Sequence, residues 1–232
     1  MRKLVVIPAH NEEQNIRTVI HSVKRLHPDI KIVVVNDGST DGTSMAARQT
    51  GEALVIDLPF NLGIGGAVQT GYLFAWRSGY DIVIQVDADG QHDPAQLYKL
   101  IACMEKGEAD CCIGSRFARN TDYRQTLFRM LGIRILSSII RWTSGRRFTD
   151  PTSGFRAVNR SVIRVFADDY PDDYPEAEAI VILERMGFRV RETAVRMNYR
   201  MSGRSSITPF RSVYYMIKVP LAVLMTRIRN VG

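Results

Sequence analysis

Two aspartates, Asp87 and Asp89, follow directly on an apolar run in the stretch VIQVDADGQHDP, residues 83–94. Mg²⁺ and Mn²⁺ are hard ions that prefer carboxylate oxygen, and proteins typically bind them with one or two carboxylates plus substrate phosphates. If the chain bends at Gly90, one aspartate could bind such an ion directly and the other through water. Gln91 and His92 are further candidate ligands. The stretch therefore predicts a cation site, and the alternative is an ordinary solvated turn.

A third acid, Asp37, lies in VVVNDGSTDGT, residues 33–43, where it also follows an apolar run. A carboxylate in that position can accept hydrogen bonds from a nucleobase or a ribose. The alternative is a plain Asp-Gly turn that caps the next helix through Ser39, Thr40 or Asp41.

Three glycines, Gly63, Gly65 and Gly66, precede a helical pattern in NLGIGGA, residues 61–67. Glycines in front of a helix allow close backbone approach to a phosphate, which the positive end of the helix dipole also favours. The spacing matches neither the P-loop nor the dinucleotide fingerprint, so this motif alone is a weak signal.

Short apolar runs alternate with helix-length segments and would position these polar clusters. The runs are KLVVIPA, KIVVVND, ALVIDLP, DIVIQVDAD and ADCCIGSR, and the helical patterns include Glu12–Leu26, Gly63–Ser78 and Pro94–Lys106. Strands that are apolar throughout and separated by helices indicate a mostly parallel sheet with helices on both faces. In such α/β sheets ligands bind beyond the carboxyl ends of the strands, where all the polar clusters fall.

The composition is that of a globular protein of 232 residues, enough for one domain with a small appendage. Its three cysteines form neither a CxxC site nor a disulfide framework, which favours a reducing cytosol. The net charge of +7 is uneven: residues 123–160 hold eight basic residues and one acid, and residues 185–232 hold ten and one. A basic second half indicates an anionic partner: nucleic acid, phosphate groups or an anionic membrane surface.

Two segments of this basic half are apolar and flanked by arginine. LFRMLGIRILSSIIRW, residues 127–142, belongs to a predicted amphipathic helix at about 124–143, and a second helix is predicted over 207–232 with Thr208 as N-cap. The apolar part of the second helix, Val213–Met225, would measure about 20 Å, whereas a bilayer core is ~30 Å thick. We therefore expect both helices to lie in a membrane interface, and the alternative is a helix pair that caps the core.

Six motifs, taken in order, resemble one known family. They are PAHNEE, VNDGSTDGT, NLGIGGA, DADGQHDP, GSR and DPTSGFR, and the resemblance covers roughly residues 3–205. The chain is similar to the family 2 inverting glycosyltransferases, in particular to dolichol-phosphate mannosyltransferases and bacterial polyprenyl-phosphate glycosyltransferases. The resemblance implies an α/β fold of the GT-A type, a nucleotide sugar, a Mg²⁺ or Mn²⁺ cofactor, and a polyprenyl phosphate acceptor at the membrane.

The resemblance also implies residue roles on the side of the sugar donor. Residues that would line the pocket for the nucleotide sugar are Pro8, Ala9, Asn11, Glu12, Asn61, Gly63, Gly66 and Ala88, with Asp37 at its base. Asp87, Asp89 and Gln91 would hold the metal against the diphosphate, which gives Asp89 a catalytic role.

On the acceptor side the resemblance implies that arginines do the catalytic work. Arg116, with Arg129 or Arg134, would grip the acceptor phosphate; Arg200 would lie near the phosphates, with Ser205 in the same loop. The motif DPTSGFR, residues 150–156, would order this side. Two departures stand out. A serine usually follows the acceptor arginine by four residues: Ser138 follows Arg134 in this way, whereas Ile133 stands four residues after Arg129. The usual acidic pair is matched only loosely, by Glu176 and Glu178.

That loose match has a chemical interpretation. A hydroxyl acceptor needs a general base to take its proton. A phosphomonoester, with a second pKa near ~6, is already largely ionised at neutral pH. An enzyme acting on a lipid phosphate must instead bring two anions together, and a cation and arginines can offset their repulsion.

The hypothesis from the sequence is therefore inverting sugar transfer, with a UDP-sugar favoured, to a polyprenyl phosphate by a cytoplasmic enzyme peripheral to the inner face of the membrane. The alternatives are a GDP-mannose-dependent mannosyltransferase, extension of a saccharide chain, and a nucleic-acid-binding module. The last is disfavoured because few aromatics interleave the arginines as stacking platforms. Residues 1–206 would form the catalytic domain. The helix at 207–232, or a separate small integral membrane protein, would bring it to the membrane, and the sequence leaves a homo-oligomer open.

Overall fold

The computed structural model describes residues 1–117, 135–142, 145–172 and 175–198. The strands of its sheet are β1 (Lys3–Ala9), β2 (Lys31–Asn36), β3 (Leu54–Asp57), β4 (Ile82–Gln85), β5 (Cys111–Ser115), β6 (Arg156–Asn159) and β7 (Val190–Ala194). The helices are α1 (Ile16–Leu26), α2 (Thr43–Arg48), α3 (Gly63–Arg77), α4 (Leu97–Glu105), α5 (135–142), α6 (Arg160–Asp168) and α7 (Pro175–Arg185). A short 3₁₀ turn, Pro94–Gln96, precedes α4.

The seven strands form one sheet in the order β3-β2-β1-β4-β6-β5-β7. All of them run parallel except β6, which is antiparallel to both β4 and β5. Because β6 runs backwards, its first residue Arg156 pairs with Gln85, the last residue of β4. We call the edge at which the parallel strands end and β6 begins the site edge.

The apolar strands place their alternate residues in two separate cores, one on each face of the sheet. Leu4 and Val6 of β1 pack on the face covered by α3 and α6, whereas Val5 and Ile7 pack on the face covered by α1 and α4. A strand buried on both faces needs an apolar residue at every position, which is why these strands read as continuous apolar runs.

The predicted α/β architecture, mostly parallel with helices on both faces, is confirmed, and so are the five predicted strands and three predicted helices. The strands β6 and β7 were not anticipated. The first helix begins at Ile16 rather than at Glu12, and a turn precedes it in which the N–H of Ile16 donates to the carbonyl oxygen of Glu12 at 2.9 Å.

The predicted interfacial helices fall largely outside the described residues. Of the helix at about 124–143, residues 135–142 are helical, with Leu136 and Ile140 buried in the core and Ile135 and Trp142 exposed. The helix at 207–232 and the domain boundary before it lie beyond the last described residue. Within the described ranges, no helix combines the length and apolarity that crossing a bilayer requires.

Candidate active site

Asp87 lies just beyond β4 at the site edge, and neighbouring side chains hold it from two sides. Its Oδ1 accepts a hydrogen bond from Nε2 of Gln85 at 3.2 Å, and its backbone N–H donates to Nδ1 of His92 at 2.9 Å. The second ring nitrogen of His92 lies 3.5 Å from Oδ2 of Asp87. Since Nδ1 accepts a hydrogen bond, the proton of a neutral imidazole sits on Nε2 and faces the carboxylate.

His92, a further candidate metal ligand from the sequence, orients Asp87 in this structure, and its role as a ligand stays a prediction. Its side chain is 4% exposed and stacks on Phe155 with the ring centroids 4.7 Å apart. Both ring nitrogens are directed at Asp87.

The loop that carries Asp89 bends as the sequence predicted. Gly90 has φ 78°, and Oδ1 of Asp89 accepts a hydrogen bond from the backbone N–H of Gln91 at 3.0 Å. The segment that follows β7 braces this loop, because the N–H of Asn198 donates to the carbonyl oxygen of Gln91 at 2.8 Å. The loop is therefore fixed to the body of the domain at its far end.

The motif at 150–156 packs directly against Asp87. A Cβ added to Gly154 would lie 2.8 Å from Nε2 of Gln85 and 3.3 Å from Oδ1 of Asp87. Glycine at this position therefore allows the turn before β6 to approach the paired acids.

The residues at the loop fit a hard divalent cation by the chemistry of their donor atoms. Asp87, Asp89 and Gln91 offer carboxylate and amide oxygens, and the side chain of Asp87 is 37% exposed at the site edge. Among the residues that the structure describes, no group of three or more His, Cys, Asp or Glu side chains forms a closed metal cage. Mg²⁺ and Mn²⁺ do not need one, because they commonly use one or two carboxylates together with substrate phosphates.

The loops after β1 and β2 are tied together at the site edge. Oδ1 of Asn11 accepts a hydrogen bond from the N–H of Thr40 at 2.8 Å, and the N–H of Glu12 donates to the hydroxyl of Thr43 at 2.8 Å. The structure thus brings Asn11 and Glu12 together with the loop of Asp37, while Pro8 and Ala9 are buried at the end of β1. Their contacts to a nucleotide stay a prediction.

His10 is a residue of this region that the sequence did not single out. Its Nδ1 lies 2.7 Å from the carbonyl oxygen of Asp37, and the amide nitrogen of Asn11 lies 3.2 Å from its Nε2. The polar run after β1 was the only available signal, because the partner of His10 lies 27 residues away.

Asp37 is almost fully buried and joins a third loop to the other two. Its Oδ1 accepts a hydrogen bond from the N–H of Leu62 at 2.6 Å, and a Cβ on Gly38 would lie 2.5 Å from the backbone nitrogen of Asn61. The structure therefore brings Asp37 and Asn61 together. A role of Asp37 in holding the nucleotide stays a prediction, since one of its oxygens already serves the fold.

The glycine-rich motif begins α3, but Gly65 serves a different purpose from the one its spacing suggested. A Cβ at Gly65 would collide with the carbonyl oxygens of Pro171 and Asp172, and the Gly65 N–H donates to the Asp172 carbonyl at 3.2 Å. The close approach is to the loop after α6 and not to a phosphate. Gly63 has φ 82°. The contacts of Gly63 and Gly66 to the nucleotide sugar stay a prediction.

We expect Gly65→Ala to lower the free energy of unfolding by about 1–3 kcal/mol, because the added methyl group would meet backbone that cannot move aside cheaply. Urea unfolding measures this. Gln69→Ala, in the same helix and only partly buried, is the control and should change stability by no more than about 0.5 kcal/mol. A Gly65→Ala protein as stable as the control would contradict the close contact.

On the opposite side of the site edge, Arg116 forms a buried ion pair with Asp150. Its Nε and Nη2 each lie 2.6 Å from one oxygen of the Asp150 carboxylate, and its backbone N–H donates to the same group at 3.0 Å. Arg116 is 6% exposed and Asp150 is fully buried. This geometry supports a role for Arg116 in ordering residues 150–156, and its predicted grip on the acceptor phosphate stays a prediction.

Glu192 supports the same turn from β7. Its carboxylate accepts hydrogen bonds from the backbone N–H groups of Thr149 and Asp150 at 2.7 and 2.8 Å. Burial raises the pKa of Glu192, and the hydrogen bonds from Thr149 and Asp150 partly offset that rise.

Glu176 lies in the first turn of α7, close to the paired acids in electrostatic terms. Burial raises the pKa of its carboxyl group; Arg156 acts against that rise, whereas the negative charge of Asp87 adds to it. The loosely matched acid is therefore part of the site region. Glu178, two residues on, is partly exposed.

Four of the predicted site residues, Arg129, Arg134, Arg200 and Ser205, lie outside the described residues. Ala88 is described and buried between the two acids.

The chain matches a model of glycosyl transferase family 2 over residues 4–169. It is 33% identical over 168 residues to polyprenol monophosphomannose synthase of Mycolicibacterium smegmatis, a match that covers 70% of this chain and 63% of the relative's length. It is 28% identical over 214 residues to the UDP-N-acetylglucosamine–dolichyl-phosphate N-acetylglucosaminyltransferase of Methanococcus voltae, which covers 84% of this chain and 85% of that protein.

A solved structure has the same fold. Glucosyl-3-phosphoglycerate synthase from Mycobacterium tuberculosis, in complex with Mn²⁺, UDP and glucosyl-3-phosphoglycerate, superimposes with a TM-score of 0.71 and 26% sequence identity. The superposition covers 100% of this chain and 82% of that one.

Proposed function

The chain belongs to glycosyl transferase family 2, and we propose that it transfers a sugar from a nucleotide sugar to a polyprenyl phosphate, with inversion at the anomeric carbon. The observation that carries this proposal is the pair Asp87 and Asp89 at the end of β4, with Asp87 oriented by Gln85 and His92 and partly open at the site edge. The curated relatives named for polyprenol and dolichyl phosphate acceptors support the choice of acceptor.

For the sugar donor we propose a UDP-sugar. The relative named for UDP-N-acetylglucosamine and the UDP complex of the structural neighbour support this choice. The alternative donor is GDP-mannose, because another relative is named as a monophosphomannose synthase. Asn11, Glu12, Asp37 and Asn61 lie on loops that the structure ties together, and there they would hold the nucleotide.

Transfer to a phosphate acceptor does not require a strong general base. The acceptor phosphate is largely ionised at neutral pH because its second pKa is ~6. Its oxygen attacks the anomeric carbon from the face opposite the leaving diphosphate, and the sugar inverts. A divalent cation bound at Asp87, Asp89 and Gln91, either Mg²⁺ or Mn²⁺, would neutralise the charge of that diphosphate. The residues of this chain bind and orient the two anions.

Arginines would provide the positive charge on the acceptor side. We assign this role to Arg116, to Arg129 or Arg134, and to Arg200. For Arg200 the support is that the described segment leading to it is bound to the acidic loop, since the N–H of Asn198 donates to the carbonyl oxygen of Gln91. Ser205 belongs to the same loop of the sequence.

We also propose that the enzyme works at the inner face of the membrane as a peripheral protein. The described part of the segment at 124–143 supports this, because Ile135 and Trp142 are exposed and Arg141 beside them is exposed as well. Tryptophan and arginine are typical of helices that lie in a membrane interface. The helix at 207–232 or a small integral membrane protein would complete the attachment.

A second candidate, extension of a saccharide chain, is favoured by one observation. Glu176 is a carboxylate near Asp87 whose pKa is raised by burial, and a raised pKa suits a general base for a hydroxyl acceptor. The two functions differ in their need for this residue.

The test supplies Mn²⁺ and a panel of UDP- and GDP-sugars with either a polyprenyl phosphate in detergent or soluble saccharides. We expect glycosyl lipid from the phosphate acceptor, and we expect Glu176→Gln to keep that activity within a few-fold. A hydroxyl acceptor would instead make Glu176→Gln about 10²–10⁴-fold slower. Product from soluble saccharides alone, lost in Glu176→Gln, would contradict the proposal and support the second candidate.

A further inference from the structure

Arg156, the first residue of β6, is fully buried and binds backbone rather than a carboxylate. Its Nη2 donates to the carbonyl oxygen of Ser153 at 2.7 Å, and Nη1 and Nη2 donate to the carbonyl oxygen of Glu176 at 3.3 and 3.2 Å. Within the part of the chain that the structure describes, no carboxylate oxygen lies within ion-pair distance of this guanidinium. Burying a cation without a neighbouring anion costs free energy, so a buried arginine of this kind indicates a structural or functional role.

The two carbonyl groups that Arg156 binds indicate what this role is. The carbonyl of Ser153 precedes Gly154, which lies against Asp87, and the carbonyl of Glu176 belongs to the first turn of α7. One side chain thus joins the turn that packs against Asp87 to the first turn of α7. Arginine presents its donors in a rigid planar fork that suits this bridge between two carbonyl groups, whereas lysine carries a single nitrogen on a flexible stem.

Gln85 connects this bridge to the acids. It is the cross-strand partner of Arg156, is 2% exposed, and donates through Nε2 to Oδ1 of Asp87 at 3.2 Å. Its Oε1 is buried and has no partner among the described residues. A free rotation of this amide would withdraw the donor from Asp87, so something must fix its orientation.

Two tyrosines provide polar groups in the same interior. The rings of Tyr72 and Tyr170 pack 5.4 Å apart, both hydroxyls are buried without a partner in the described chain, and Arg156 counteracts the burial that raises the pKa of Tyr170. An unsatisfied buried polar group costs about 1–3 kcal/mol, and proteins satisfy such groups with ordered water.

We propose that Gln85 and Arg156 are positioning residues for the metal-binding carboxylate of Asp87. Arg156 ties the turn before β6 to the first turn of α7, and Gln85 fixes the rotamer of Asp87. Residues that orient a metal ligand typically change metal affinity by 10–100-fold when replaced. The inference rests on the proposed function, because it presumes the cation at Asp87 and Asp89.

The test measures the dissociation constant for Mn²⁺ from the electron paramagnetic resonance signal of the free ion, with UDP or GDP present, whichever binds the wild type. Gln85→Met keeps the volume and the burial but removes the donor to Asp87, and we expect Mn²⁺ binding to weaken about 10-fold or more. Arg156→Met should weaken it similarly. If Arg156 acts through Gln85, the double variant binds Mn²⁺ no more weakly than the weaker single variant.

Arg160→Met is the matched control. Arg160 is the first residue of α6, directly after the same strand; it donates to the carbonyl oxygen of Tyr80 at 3.1 Å and rests 4.8 Å from the centroid of the Trp76 ring. Its replacement should leave the dissociation constant unchanged. If Arg156→Met does not fold, Arg156→Lys takes its place, since lysine keeps the charge but lacks the planar fork that holds both carbonyl groups.

Wild-type protein that binds Mn²⁺, together with a Gln85→Met variant that binds it equally well, would overturn the positioning role and leave the proposed function intact. Wild-type protein that shows no nucleotide-linked binding of Mn²⁺ would overturn the proposed function and this inference together.

Discussion

Asp89→Asn should lower kcat/KM for glycosyl transfer by about 10³-fold while the protein keeps its fold. The side chain keeps its shape, and Oδ1 can still accept the hydrogen bond from the N–H of Gln91, so the bend at Gly90 survives. What is lost is one of the two negative charges that would hold the cation. Stabilisation of a leaving phosphate by a metal is worth several kcal/mol, and each 1.36 kcal/mol is a factor of ten in rate, so the expected loss corresponds to about 4 kcal/mol.

Asp93→Asn is the matched control, since it makes the same chemical change four residues further on in the same loop. Asp93 caps the turn before α4 by accepting from the N–H of Ala95 at 2.9 Å, and asparagine is an equally good cap. Initial rates at saturating Mn²⁺ and thermal unfolding of all three proteins separate catalysis from stability. If Asp89→Asn retained more than a tenth of the wild-type activity, the metal role of this residue would be wrong.

The site gathers charge in a way that follows from the topology. The parallel strands bring the acids after β2 and β4 to the same edge, and the reversal at β6 adds the turn with Gly154 and the buried Arg156 beside them. Negative groups that can hold a cation thus face a region with fixed positive charge. Two anionic substrates could meet there without a strong base.

Much of this arrangement could be predicted from the sequence, because it depends on local pattern. Apolar runs such as KIVVVND must be buried on both faces, and such strands are parallel and end at one edge. The polar residues after each run therefore had to converge. Asp87 and Asp37 were predicted on this basis, and the structure places both at the site edge.

The rest depends on which distant residues meet, and periodicity does not encode that. The antiparallel strand β6 is short: its four residues, RAVN, begin at the last residue of the motif at 150–156 and give no clear strand pattern. The backbone that approaches Gly65 lies more than a hundred residues away in the sequence. The glycine spacing alone therefore suggested a bound phosphate, whereas in the structure the loop at 171–172 makes the close approach. The stacking of the His92 ring on Phe155 is another such contact, because the two residues lie more than sixty positions apart in the sequence.

The pairing of Arg116 with Asp150 is the clearest case of such a distant contact, and Asp150→Ala should lower the free energy of unfolding by about 3–5 kcal/mol. Asp150 is fully buried and accepts three hydrogen bonds from Arg116, so its removal leaves a buried guanidinium without its carboxylate. Denaturant unfolding measures the change. Glu105→Ala, which breaks the exposed pair with Lys3, is the control and should cost at most about 1 kcal/mol.

The double variant Arg116→Met with Asp150→Ala separates the two roles that remain for Arg116. It leaves no uncompensated buried charge, and replacing a buried ion pair by apolar groups is often close to neutral, so we expect it to be more stable than Asp150→Ala alone. A double variant as unstable as the single one would mean that the lost carboxylate mattered for another reason than the charge of Arg116. A further outcome is a double variant that folds well and binds nucleotide and Mn²⁺ normally, yet requires far more polyprenyl phosphate to reach half its maximal rate. That result would mean that Arg116 contacts the acceptor in addition to its ion pair with Asp150. An unchanged requirement would restrict Arg116 to the fold, and the grip on the acceptor would fall to Arg129, Arg134 or Arg200.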